Sequence, residues 1–198
     1  MSKEKEKEIH PMKQLPRFLQ ALAGIIQILA WLLAAIAFVG LIASFVVPGN
    51  IEAFLASEIM AGQDFVINGF GSSMISGSVI SLGMVRWTMA CGILTMSLTA
   101  MIFRNLWLIL KTLKGSDSFG ESNTPFTPDI TRMIREIGIF FMAIPVVELI
   151  FSCLMRLFYV DIDPYVDVTG IMTGLVIWYL SRIFGYGQKL QSDVEGLV

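Results

Sequence analysis

The chain has 198 residues, of which 55% are hydrophobic and only 15% charged, with a formal net charge of −2. That leaves too little polar surface to solvate a water-soluble globule of this size, and the mean hydropathy is positive. Nucleotide-binding glycine loops, metal clusters and nucleophile arrangements are all missing from the sequence, so an enzyme is the least supported class and no cofactor is expected.

The segment 1–17 is a charged tail in which lysine and glutamate alternate, and His10, a lone imidazole, reads as an exposed residue rather than a ligand. Four apolar runs follow, 18–47, 87–110, 137–160 and 168–184, and about 20 such residues at 1.5 Å rise cross a hydrocarbon core. The expected fold class is therefore all-α, a four-helix transmembrane domain over 18–190 with a tail at 191–198. The first run is too long for a cleavable signal and is expected to stay in the mature protein, tilted or projecting beyond the bilayer.

Lys3, Lys5, Lys7, Lys13 and Arg17 precede the first run, Lys111, Lys114, Arg132 and Arg135 lie between the second and third, and Lys189 follows the fourth. Only Arg86 lies outside the runs on the other side. The positive-inside rule then puts both termini and the loop 111–136 in the cytoplasm of a plasma-membrane protein, and four crossings satisfy the even count.

In the extracytoplasmic loop 48–86, Asn50 suits an N-cap, and Ile51, Phe54, Leu55 and Ile59 recur at helical spacing. Further on, Phe65-Val66-Ile67 followed by Asn68-Gly69 suggests a hairpin. The loop reads equally as a small cap or a flexible segment. On the cytoplasmic side, Thr127, Pro128 and Asp129 mark a helix start, as N-cap, first-turn proline and an acid at the positive helix end. Phe126 would pack back as an anchor, and Arg132 and Arg135 follow on the first turns. This is either a simple helix entrance or a docking surface for a cytoplasmic partner, together with Lys189 and Gln191 of the tail.

Charges inside the runs are costly and usually face protein. Glu148, about 16 Å into the third run, lies near the midplane, one turn beyond Pro145. It is expected to pair with Arg182 of the fourth helix, with Arg104 of the second as the rival; the alternative is a proton or ligand site. Gly170 and Gly174 form a GxxxG stripe for close helix approach, within the chain or in a homodimer. Cys91 and Cys153 read as free thiols.

Two segments resemble a known family. Thr124-Pro125-Phe126-Thr127, then Arg132 and Arg135-Glu136-Ile137-Gly138, together with Ile183-Phe184-Gly185-Tyr186-Gly187-Gln188-Lys189-Leu190-Gln191, are similar to signatures of the bacterial membrane family called domain of unknown function 2975. The chain departs from that pattern at Asp129-Ile130, where members often show Glu-Asn, and in its Gly196-Leu197-Val198 ending. The resemblance implies a four-span membrane protein that accompanies small helix-turn-helix regulators. The expected function is thus a membrane-bound regulator or sensor acting through a cytoplasmic partner, without direct contact to nucleic acid. A small transporter or channel-like protein using Glu148 is the alternative.

Overall fold

A computed structural model describes residues 3–49, 67–69, 72–75, 82–115, 128–158 and 166–195. Four helices dominate: α1 (Lys3–Val46), α2 (Leu82–Gly115), α3 (Pro128–Phe158) and α4 (Val168–Glu195). Each contains a stretch long and apolar enough to cross a membrane, at Arg17–Val46, Leu82–Thr112, Pro128–Phe158 and Val168–Val194. Helix α1 reaches back to Lys3, so the charged tail is not separate from the first span. Lysine and glutamate are good helix formers, and opposite charges three residues apart favour the helix.

Between α1 and α2, β1 (Ile67–Gly69) pairs antiparallel with β2 (Ser72–Ile75). Asn68 and Gly69 pair with Ser73 and Ser72, so both belong to a strand. The interfacial helix expected around Ile51 lies outside the described residues, as do Phe126 and Thr127. Pro128 does open α3, with Asp129 in its first turn.

The helices pack as a row in chain order: α1 on α2, α2 also on α3, and α3 also on α4, while other helix pairs touch at most marginally among the described residues. Of the most apolar window of each helix, 11% is buried in α1 and in α4 but 33% in α2 and 28% in α3, which makes α1 and α4 the edges. Their exposed Leu, Ile and Val side chains suit lipid as the solvent.

Small residues set each seam. Ala23, Ala30, Ala34 and Ser44 are the buried positions of α1, and Gly24 lies against Trp107 of α2 and Gly40 against Met89. Arg86 fastens the far end of that seam: its Nε donates to Ser44 Oγ at 3.2 Å, a second guanidinium nitrogen donates to the Ser44 carbonyl, and the group covers the Phe45 ring at 4.2 Å. A cation there also complements the negative C-terminal end of α1.

Along α2 the buried residues are Val85, Thr88, Cys91, Thr95, Thr99, Ala100, Ile102, Asn105 and Ile109, most of them recurring every three or four positions. The threonine hydroxyls in this stripe donate to carbonyls of the same helix, which satisfies them without a partner helix. Ile102 and Ile109 form an apolar cluster with Ile130 and Ile137 of α3. At the opposite end Trp87 meets Phe151 edge-on and stacks on Phe158.

The α3–α4 seam is the closest. A Cβ added at Gly138 would stand 2.6 Å from the Trp178 backbone nitrogen and 2.9 Å from the Gly174 carbonyl oxygen, and one at Gly174 would stand 2.8 Å from the Met142 nitrogen. The Gly170/Gly174 stripe is thus used inside the chain, with Gly170 against Pro145.

Candidate functional site

From the glycine crossing, α3 and α4 enclose a groove toward the start of α3 and the end of α4. Its volume is about 710 Å³. Arg132 and Arg135 of α3 and Arg182 and Lys189 of α4 line it, as do Trp178, Ser181, Gly185 and Tyr186, and no carboxylate is among the lining residues. Four of the positions singled out from sequence therefore converge, although the α3 and α4 groups are separated by nearly the whole hairpin. Gln191 is half-buried on the same end of α4.

The cations differ in how they are held. Arg132, with a side chain 70% exposed, donates from Nε to Glu136 Oε1 at 2.8 Å, the sole ion pair among the described residues. Such an exposed pair contributes little stability, but it fixes where the guanidinium sits. The other oxygen of Glu136 accepts from Asn105 Nδ2 of α2 at 3.1 Å, and Asn105 is buried. Glu136 therefore ties the groove to the middle of the row. Asn105→Leu should lower stability by about 0.6 kcal/mol, and at most about 1.7 kcal/mol, the range of interhelical hydrogen bonds in membranes. A double-mutant cycle with Glu136→Leu, which removes the acceptor, measures it; strictly additive losses would show that the bond carries no coupling.

Arg182 lies over the Trp178 ring, 4.9 Å from its centroid. Beside it, Ser181 is buried and donates to the Trp178 carbonyl at 2.6 Å, while the buried Oγ1 of Thr131, across the groove, has no hydrogen-bond partner. An aromatic face under a guanidinium leaves its N–H edge directed away from the ring.

The expected Glu148–Arg182 pair does not form. Gly170 packs on Pro145, so Arg182, twelve residues further along α4, lies level with Met133, fifteen residues before Glu148 and about 22 Å from it along the axis. Counting both helices from a common outer end misplaced them, because α4 starts beside Pro145 while α3 continues to Phe158. Arg104 fails as the rival for a similar reason. Its neighbour Asn105 is level with Glu136, about 18 Å from Glu148, and Arg104 itself is exposed. Glu148 is nonetheless buried, 5% exposed, with Oε1 lacking any hydrogen-bond partner among the described residues, and in the same register Asp167, just before α4, lies level with it. Cys91 is buried and Cys153 exposed, both as free thiols.

Two contacts at this level were not singled out from sequence, Asn105–Glu136 and Arg86–Ser44. The first had a signal, since an asparagine inside an apolar run usually binds a neighbouring helix. No family model matches the chain, and neither the curated proteins nor the solved structures yield a match.

Proposed function

We propose that the chain is a membrane-embedded regulatory or sensor protein, with both termini in the cytoplasm, that holds a soluble partner on the water-exposed rim of the α3–α4 groove. One observation carries the reading: Arg132 and Arg135 from the start of α3 and Lys189 from the end of α4 converge on one cation-lined face. Lys111, near the end of α2, has the same sign and is exposed, and this enrichment is what the positive-inside rule assigns to the cytoplasm. Charge at an interface rim steers association and selects an acidic surface, whereas the spans govern insertion. The resemblance to domain of unknown function 2975 suggests a small helix-turn-helix regulator as that partner, in the plasma membrane of a bacterium.

The test is a charge reversal at Arg135 and Lys189. Arg132 is left intact because its guanidinium is held by Glu136 and a carboxylate there would repel it. The Arg135→Glu, Lys189→Glu protein should insert normally yet lose a soluble protein that copurifies with the wild type from solubilised membranes. Unchanged copurification overturns this surface. A second reading, a small transporter, draws on one observation, the buried and unpartnered carboxyl oxygen of Glu148; it has to work without an arginine counter-charge.

A further inference from the structure

We propose that the lipid-facing side of the α3–α4 groove is a binding site for an anionic phospholipid of the cytoplasmic leaflet, with the lipid phosphate held by Arg182. Depth is the first argument. In the register set by Gly170 on Pro145, Arg182 lies level with Met133, about 6 Å beyond Ile137, from which α3 runs about 32 Å to Phe158. A hydrocarbon core is about 30 Å thick. The groove, whose deepest α4 residue Trp178 stands against Gly138, therefore begins at the edge of the apolar layer and ends beyond it. Arg182 thus stands at phosphate level, the usual place of long cationic side chains near a helix end.

Charge is the second argument. Among the described residues Arg182 has no carboxylate within ion-pair distance, and the groove has no acidic lining, so this cation at the edge of the span lacks a counter-ion from the protein. A phosphodiester supplies one at the right depth, and the planar guanidinium, backed by Trp178, matches two phosphate oxygens at once. Thr131 lines the same wall, and its buried, unpartnered hydroxyl is a further donor for a phosphate or ester oxygen.

Access is the third. Because α4 is an edge helix, the groove opens sideways to lipid rather than into a closed bundle. The adjacent stripe of α4 carries Tyr179, Ile183 and Leu190, all exposed, on which acyl chains can lie. A cavity of about 710 Å³ is of the size that holds a small ligand. A soluble peptide approaches from the water beyond Lys189, whereas a lipid enters through this sideways opening, which favours a lipid over an acidic peptide. The inference does not depend on the partner reading, since it concerns the purified chain alone.

The test is native mass spectrometry of the detergent-purified full chain titrated with dioleoyl phosphatidylglycerol or with dioleoyl phosphatidylcholine. One phosphatidylglycerol should be retained per chain, about tenfold more tightly than phosphatidylcholine, and Arg182→Gln should remove that preference. Arg104→Gln removes an equal charge from an exposed position on α2 and should leave it intact. Arg182→Lys keeps the cation and should retain part of the preference, which separates lost charge from lost folding. Equal loss in Arg182→Gln and Arg104→Gln would mean diffuse attraction to charge and overturn the site. Displacement of the lipid by millimolar inorganic phosphate would show a free-phosphate site instead. Absence of lipid selectivity, with copurification of a soluble protein lost in Arg182→Gln, would give the groove at Arg182 to that protein and equally overturn the proposal.

Discussion

Gly138→Leu is expected to separate α3 from α4 and to cost about 3 kcal/mol or more of stability, the upper range for overpacking a well-filled seam. What a side chain there would meet is backbone, the Trp178 nitrogen at 2.6 Å and the Gly174 carbonyl oxygen at 2.9 Å, so no rotamer change relieves the clash. In lipid there is no hydrophobic force to draw the helices back, because acyl chains solvate leucine as well as a neighbouring helix does. Close van der Waals contact is the main attraction at this seam, and among the described residues α4 touches helices other than α3 at most marginally. The fitting control is Gly92→Leu on α2, where an added Cβ meets nothing within 4 Å. Unfolding of both variants in a detergent titration, together with a crosslink between cysteines placed at Thr131 and Gly185 in a chain free of Cys91 and Cys153, reads the effect. The Gly185 Cβ position is 3.9 Å from the Thr131 methyl carbon, so the crosslink should form in the parent and fail in Gly138→Leu. Equal stability of the two leucine variants would sink this account of the seam.

The same crossing shows where the sequence was legible. Length and hydropathy suffice to find four spans, because backbone groups in lipid must be satisfied within a helix whatever the tertiary arrangement. The start of α3 at Pro128 was equally readable, since capping chemistry is local. Register between helices is not local. It depends on which small residues let two backbones approach, and Gly138 facing Gly174 rather than an assumed common end set the depth of Arg182 against Glu148. That is why Arg132, Arg135 and Lys189 were recognisable as a basic face, whereas the place of Arg182 in the same groove, over Trp178, emerged only from packing. Asn105 illustrates a third case. Its polarity within an apolar span was visible, but its partner Glu136, 31 positions away, was not.

Glu148→Leu is expected to stabilise the protein by about 1 to 3 kcal/mol, the cost of burying a polar group without a hydrogen bond. Leucine has a similar volume, and the neighbours of Glu148 in the buried face of α3 are Pro145, Ser152 and Met155, so an apolar side chain fills the space without leaving a cavity. Glu148→Gln is expected to bring no such gain, because it retains a carbonyl oxygen and adds an N–H donor in the same surroundings. A structural ion pair demands the opposite sign: removing one member of a buried pair destabilises by about 3 to 5 kcal/mol. At about 22 Å of axial separation, Glu148→Leu and Arg182→Gln should be additive within about 0.5 kcal/mol, as distant sites without shared partners are. Detergent-solution melting of the two single variants and the double variant decides between these outcomes. A loss of stability in Glu148→Leu, or a coupling beyond that limit, would return an arginine to the side of Glu148. A gain in stability carries a further consequence, because a residue retained against its own folding cost in the interior of a span is the pattern of a functional group. Glu148→Leu protein that is more stable but no longer regulates or transports would place the chain's input at Glu148, next to Asp167, and at the opposite end of α3 from the cationic groove.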